Sequence, residues 1–129
     1  LENASFQRAR IADCRMTGMN LLKVSMMNTV FVSCSADYLT VSDGKLNRIR
    51  FEECRLRESM WQDVKLTNTA FAHCDLTAAQ IRTMPMAGLD LTTCNLDALQ
   101  IDLYDLRGMK VTAPQALGFC ALLGLAIVD

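Results

Sequence analysis

The sequence predicts an all-β fold, a square solenoid with four five-residue sides in each coil. Two observations indicate this fold, a period of five and a period of twenty. Every fifth residue from Leu1 to Val111 is apolar and, from Ala4 onward, the residue two places before each of these is uncharged. A period of five matches neither an α-helix, at about 3.6 residues per turn, nor a flat strand, at about 2. The chain must therefore turn an apolar side chain inward once in every five residues.

The period of twenty defines one coil. Since four segments of five complete a coil, residues 1–111 make about five and a half coils. Equivalent residues of neighbouring coils should stack at about 4.8 Å, the spacing of adjacent strands. Two series recur at the longer interval, and we expect both to form ladders in the core. They are Cys14, Cys34, Cys54, Cys74 and Cys94, and Phe31, Phe51 and Phe71.

Charged side chains avoid both inward positions. Of the 13 basic and 14 acidic residues, only Asp129 falls on one of them, as expected because burying an unpaired charge is costly. Trp61 is a bulky occupant of a central inward position, so we expect the wall to bulge there or the ring to reach the edge of a coil. Four arginines alternate with glutamates, which predicts a salt-bridged surface rather than a phosphate track. They are Arg48, Arg50, Arg55 and Arg57.

Several segments resemble the Ala-Asp/Asn-Leu motif of the pentapeptide-repeat family. The resemblance covers residues 1–111 and implies a right-handed quadrilateral β-helix. The N-terminal half departs from the motif, because Arg, Lys or Ser often occupies the Asp/Asn position there. The segments nearest to the motif are Cys74-Asp75-Leu76, Leu89-Asp90-Leu91, Cys94-Asn95-Leu96 and Tyr104-Asp105-Leu106.

Residues 112–129 leave the repeat and predict a C-terminal cap. Thr112 and Gln115 have the spacing of a capping box, and Pro114 is tolerated in a first helical turn. Gly124 is suited to end a helix. We therefore expect a short capping helix over 113–123, followed by a short strand over 125–128. The helix face toward the last coil would carry Ala116, Phe119, Cys120 and Leu123.

The cap also predicts a contact with a second copy of the chain. No charged residue occurs from Val111 to Val128, and an uncharged patch of this length favours burial against a partner. The alternative is a cap that only closes the rod. The segments 105–117 and 123–128 are similar to the C-terminal segment of quinolone-resistance pentapeptide proteins, and this resemblance implies a homodimer through the cap. Candidate contact residues are Gly118, Ala121, Leu122 and Ile127.

The sequence offers no catalytic, cofactor-binding or metal site. Thiols arranged in a line do not converge as a tetrahedral metal site requires, and parallel side chains fit the disulfide torsion poorly. The cysteines are therefore expected to be structural thiols of a cytoplasmic protein, because that compartment is reducing. The one histidine, His73, lies at an outward position without a visible partner. We expect a protein that is not an enzyme.

Two functions remain open for such a rod. One is a protein-binding module or scaffold with an unknown partner. The other, implied by the quinolone-resistance resemblance, is a DNA mimic that modulates or protects DNA gyrase or topoisomerase IV. The net charge of −1 disfavours mimicry, since phosphate charge dominates DNA recognition, and the unbroken register over 1–111 predicts no projecting loop. The candidate acidic surface comprises Asp75, Asp90, Asp97, Asp102 and Asp105.

Direct binding to nucleic acid or to a membrane is not expected. The near-neutral charge favours neither partner, and the nearly apolar run from Ala116 to Val128 is too short to span a bilayer. Because Leu1 is already in register with the repeat, we also expect sequence upstream of it.

Overall fold

The computed structural model describes residues 5–120, 124–126 and 128, and it shows a parallel β-solenoid of about five turns with short helices near its C-terminus. Every strand pairs in parallel with a strand twenty residues away, for example at Phe31 and Phe51. The elements are β1 (Ser5–Ala12), β2 (Asn20–Leu22), β3 (Ser25–Val32), β4 (Thr40–Ser42), β5 (Lys45–Glu52), β6 (Met60–Gln62), β7 (Lys65–Thr67), β8 (Ala70–Ala72), β9 (Gln80–Arg82), β10 (Gln100–Ile101), α1 (Leu103–Leu106) and α2 (Ala113–Phe119).

Each coil has four walls, which we call A, B, C and D and define by the inward residues at their centres, given at the end of this paragraph. The first sheet covers walls D and A together, because β1, β3 and β5 continue around the corner between them. The second sheet, β2-β4-β6-β9-β10, forms wall C, and wall B is held by isolated bridges along 15, 35, 55, 75 and 95. The central residues are Ile11, Phe31, Phe51, Phe71 and Leu91 in wall A; Met16, Ala36, Leu56, Leu76 and Leu96 in wall B; Leu21, Val41, Trp61, Ile81 and Ile101 in wall C; and Met26, Leu46, Leu66 and Met86 in wall D.

The corners of the coils use left-handed backbone. In the described part of the chain, sixteen non-glycine residues have φ between +48° and +61°, and each lies two places after a central inward residue. For an L-residue this conformation costs about 1–2 kcal/mol. Hydrogen bonds between coils offset the cost: the backbone N–H of Asp13 donates to the Val32 carbonyl at 2.9 Å, and that of Ser33 to the Glu52 carbonyl at 2.9 Å.

Aromatic rings fill the middle of the core. Phe31, Phe51 and Phe71 stack in one column with ring centroids 5.0 and 4.9 Å apart and planes 7° and 9° from parallel. Trp61 reaches in from the opposite wall and meets Phe51 and Phe71 edge-on at 5.8 and 5.9 Å. Its indole Nε1–H donates to Ser59 Oγ at 2.9 Å, and Ser59 Oγ in turn donates to the Leu56 carbonyl at 2.7 Å.

The expectation of a bulge or an edge position at Trp61 is wrong. The residue is 1% exposed, and β6 keeps its register with both β4 and β9. Two small buried residues, Ser59 and Ala79, occupy the neighbouring inward places of wall C. The indole therefore has room inside the coil and finds there a partner for its N–H.

The last coil breaks the register at α1, which the sequence did not predict. Tyr104 is 72% exposed and Asp105 is 2% exposed, so the expected inward and outward positions are exchanged. The backbone N–H groups of Asp105 and Leu106 donate to the Asp102 carbonyl at 3.0 and 3.1 Å. This helical turn rotates Tyr104 outward, and Met109 returns to contact the core.

The capping helix α2 begins with the predicted capping box. Thr112 Oγ1 accepts from the Gln115 backbone N–H, and Gln115 Oε1 accepts from that of Thr112. Gln115 Nε2 also donates to the carbonyls of Leu91 and Cys94, both at 2.8 Å, which ties the helix to the last coil. The helix ends at Phe119, and the part of the predicted helix over 121–123 lies outside the described residues.

The inner face of α2 is only partly as expected. Phe119 packs against the core, but Ala116 is exposed. Gly124 has φ +71°, and Leu125 donates its backbone N–H to the Cys120 carbonyl at 3.2 Å. Of the predicted strand over 125–128, the described residues are not in strand conformation. No helix in the described part of the chain is long and apolar enough to cross a membrane.

Candidate interaction surface

The cysteine ladder is closed off inside the core. Cys34, Cys54, Cys74 and Cys94 are buried, and each thiol lies 3.3–3.5 Å from a carbonyl oxygen of the preceding coil, that of Ile11, Phe31, Phe51 and Phe71 respectively. Hydrogen bonding to the Cys54 and Cys94 thiols and then burial raise the pKa of Cys74. Burial likewise raises the pKa of Cys34. Hydrogen bonding to Cys74 lowers the pKa of the Cys54 and Cys94 thiols to about 7. All four thiols are nevertheless enclosed in the core, and a reactive thiol must also be accessible, so these side chains serve packing.

Cys14 corrects the prediction that all five cysteines lie in the core, since it is exposed. The Cys34 thiol contacts the Ile11 carbonyl of the coil before it, whereas Cys14 lies in the first coil of this sequence. Among the described residues, no group of three or more Cys, His, Asp or Glu side chains converges as metal ligands would.

Wall B carries mixed charges, but the predicted arginine–glutamate cluster is divided among the walls, since only Arg55 and Arg57 lie here and their partners are aspartates. Arg55 Nη2 lies 3.0 Å from Asp37 Oδ2, and Arg57 Nε lies 3.9 Å from Asp75 Oδ2. The backbone N–H of Arg57 also donates to Asp37 at 3.2 Å. Tyr38 hydrogen-bonds to Glu58, which raises the pKa of the tyrosine. Opposite charges in successive coils thus neutralise each other along this wall.

The five candidate acidic residues do not form one surface. Asp75 and Asp97 lie on wall B, Asp90 on wall A and Asp102 at the end of wall C. Asp105 is buried, so its assignment to an acidic surface is wrong; the helical turn of α1 places it inside.

Some of these carboxylates have local structural roles. Asp75 Oδ1 and Asp90 Oδ1 accept the backbone N–H of the residue two places later, at 3.0 and 2.9 Å. At Asp90, bonds from the Thr92 hydroxyl and backbone lower the pKa of the carboxyl. These two acids therefore stabilise turns of the coil.

His73 lies on wall A with its side chain exposed, and its backbone N–H donates to Thr93 Oγ1 at 2.9 Å. Arg50 of the same wall pairs with Glu52. Of the acidic residues on this wall, Glu53 and Asp90 are also exposed. Wall A therefore carries both signs of charge and has no arrangement of nucleophile and base around its histidine.

The described residues of wall D carry only positive charge at the surface, which the sequence analysis missed. Its outward basic residues are all exposed, and its one acidic position is the buried Asp105. The charges could have been found by sorting outward residues by their place within the twenty-residue coil, rather than by nearness in sequence. The basic residues of wall D are Arg8, Lys45, Arg48, Lys65 and Arg107.

The cap exposes apolar side chains. Leu117 and Leu125 are each 58% exposed and Val128 is 89% exposed. Gly118, one candidate dimer contact, is exposed as well. The other three candidates, Ala121, Leu122 and Ile127, lie outside the described residues.

These features define a closed β-solenoid whose outward side chains are its accessible chemistry. Residues 4–81 match the pentapeptide repeat region, and the chain belongs to the pentapeptide-repeat family. Among solved structures, it is similar to the pentapeptide repeat protein Rfr23 from the cyanobacterium Cyanothece 51142, with TM-score 0.71 and 11% identity over 85% of both chains. That likeness shows the fold.

Two further matches are structures of QnrB1, a plasmid-mediated fluoroquinolone resistance protein. A trypsin-treated form is 14% identical over 99% of this chain and 93% of that one, with TM-score 0.28. The full-length form is 14% identical over 95% and 100%, with TM-score 0.26. Such low TM-scores carry no argument about function. No curated protein sequence matches the chain significantly.

Proposed function

We propose that this chain is a non-enzymatic, rigid protein-binding module or scaffold. The observation that supports this most directly is the filled core, in which aromatic stacks and buried thiols occupy the interior from coil to coil. Beyond the first coil, where an open apolar cavity of about 280 Å³ lies beside Ile11, Met16 and Phe31, the packed interior provides no enclosed space for a substrate. The stacked coils instead present long, regular walls to a partner. The function of the molecule then resides in its outward side chains.

The cap is the proposed site of self-association. Leu117 and Leu125 are exposed although they are large and apolar, and burial of such a patch against a second copy would remove it from water. A monomer has a mass of 14.3 kDa, so light scattering after gel filtration should give about twice that value. Leu117→Lys should restore the monomer, while Leu103→Lys, at the similarly exposed Leu103 of α1, should not. A wild-type monomer at micromolar concentration would contradict the dimer.

DNA mimicry toward a type II topoisomerase is the alternative function, and the charge distribution supports it less well. The exposed candidate acids lie on three different walls, and Asp75 lies beside Arg57. A mimic needs a continuous acidic surface, because phosphate charge dominates the contacts that it replaces. A supercoiling assay with gyrase, with and without a quinolone, discriminates: protection or inhibition at stoichiometric protein favours mimicry, and no effect at excess removes it.

Six free cysteines favour a reducing compartment, so we place the module in the cytoplasm. Affinity capture from the source cell's extract tests the binding function when folded wall variants are used beside the wild type. Double variants that keep the core intact are Arg55→Glu with Arg57→Glu on wall B, Arg10→Glu with Lys110→Glu on wall A, and Lys45→Glu with Lys65→Glu on wall D. A true partner should be lost with one of the three variants and retained by the other two. If all three variants retain the same proteins as the wild type, the module is refuted.

A further inference from the structure

Among the residues that the structure describes, wall D combines positive charge with an absence of acidic groups on its outward face, and no other wall does. Walls A, B and C each carry exposed side chains of both signs. We infer that wall D binds an extended acidic peptide segment of a protein partner. This inference rests on the proposed binding function and names the wall that carries it and the chemistry that it recognises.

The cations of wall D are available to a ligand. Lys45 and Lys65 are register partners of adjacent strands, so their backbones lie about 4.8 Å apart. Arg48 stands at the corner three residues after Lys45. Within the described residues, ion pairs involve Arg50, Arg55 and Arg57, and none involves these three side chains. Three unpaired cations thus share a surface two coils high.

A shallow groove lies beside the two lysines of this surface. Its volume is about 280 Å³, and Ser25, Met27, Asn47 and Thr67 line it together with the two lysines. Met27 is 37% exposed and offers an apolar contact. The groove therefore suits a narrow chain with acidic and occasional apolar side chains, and its flat base is the regular surface of β3, β5 and β7.

One unsatisfied atom favours a peptide over DNA. The Oδ1 atom of Asn47 is buried and has no hydrogen-bond partner among the described residues, and such an acceptor costs free energy. Because Asn47 lines the groove, rotation of its side-chain amide would bring this acceptor to a donor on the ligand. A peptide backbone supplies N–H donors along its whole length. The phosphate oxygens of a DNA backbone only accept. The number of free cations is also small compared with the six to ten phosphate contacts of typical DNA-binding proteins.

The surrounding charges define where the peptide lies. Asp43 and Asp63 stand exposed at the corner between walls C and D, two residues before each lysine. The opposite corner, toward wall A, carries Arg8 and Arg48. An acidic segment is repelled from the first corner and attracted to the second, so it lies on the wall A side of the two lysines.

Fluorescence anisotropy with fluorescein-labelled octaglutamate tests the inference on the whole chain. Wild-type protein should bind the peptide with an affinity that falls with added salt. The triple variant Lys45→Glu, Lys65→Glu and Arg48→Glu should bind at least about tenfold more weakly, because three attractive pairs become repulsive. A control with the same change in net charge should lose less than about threefold. The control variant carries Arg15→Glu, Arg82→Glu and Lys110→Glu, all outside wall D.

A neutral variant separates recognition from general charge. Asn47→Ala leaves the net charge unchanged and removes the unpartnered acceptor, and it should weaken octaglutamate binding about threefold or more. Unchanged affinity in this variant, equal losses in both charge variants, or no wild-type binding would overturn the inference. Tighter binding of a short DNA duplex than of octaglutamate would also overturn it. None of these results touches the capture experiment, which compares variants of walls A, B and D, so the binding function would be judged separately.

Discussion

The hydrogen bond between Trp61 and Ser59 gives the sharpest test of the core. Ser59→Ala removes the acceptor at 2.9 Å and leaves the indole N–H unpaired in a dry interior. We expect this change to lower the free energy of unfolding by about 1–3 kcal/mol. In a Trp61→Phe background there is no N–H to satisfy. In that background, Ser59→Ala should lower the free energy of unfolding by about 1 kcal/mol or less. The Leu56 carbonyl is not left unpaired, because it still accepts a hydrogen bond from the Ser59 backbone N–H at 3.3 Å.

The double-mutant cycle should therefore give a coupling free energy of about 1–2 kcal/mol. Urea denaturation followed by far-ultraviolet circular dichroism measures all four proteins, including those without the single tryptophan. Ser42→Ala is the matched control, since Ser42 lies on the outer side of wall C and should show no coupling to Trp61. An equal cost of Ser59→Ala in both backgrounds would refute the idea that Ser59 holds the indole.

Three other predictions follow from burial and backbone geometry. In native protein, a thiol reagent should modify Cys14 and Cys120 rapidly, because the other four cysteines are buried and should react only on unfolding. Mass spectrometry counts the modified thiols. Rapid labelling of all six would contradict the burial of the cysteine ladder. Ala98 lies at a corner with φ +57°, so Ala98→Gly should leave the free energy of unfolding unchanged or raise it by up to about 1 kcal/mol. Ala72→Gly in β8 should lower it by about 0.5–1 kcal/mol. Thermal melts measure both variants, and equal losses would argue against strain at the corners. Asp105→Leu should raise the free energy of unfolding by about 1 kcal/mol, because Asp105 Oδ1 is buried without a partner; a loss of stability would mean that the carboxylate is needed.

The walls could be predicted because the inward position is a local property of each five-residue segment. An apolar residue at the centre and an uncharged residue two places earlier suffice to place a segment in the coil, and the Phe31 and Cys34 positions repeat that choice every twenty residues. The capping box at Thr112 and Gln115 was predictable for the same reason, since its two hydrogen bonds span only three residues.

The exchange of Tyr104 and Asp105 could not be predicted from the repeat. Tyr104-Asp105-Leu106 resembles the repeat motif, yet α1 forms there. Hydrogen bonds to both neighbouring coils hold the inner segments in register, while the last coil has a coil on one side only. The local helical turn from Asp102 therefore prevails over the pattern.

By itself, the sequence determined the solenoid, its four-sided coil and the separation of charge from core, because inside and outside alternate within every five residues. Only the tertiary structure decided which charges meet. Arg55 pairs with Asp37 in the preceding coil and Arg57 approaches Asp75 in the next one, and these diagonal pairs are not fixed by the period of twenty. Such neighbours are about twenty residues apart, so the electrostatic potential at the surface of each wall depends on how the coils stack and not on any continuous segment.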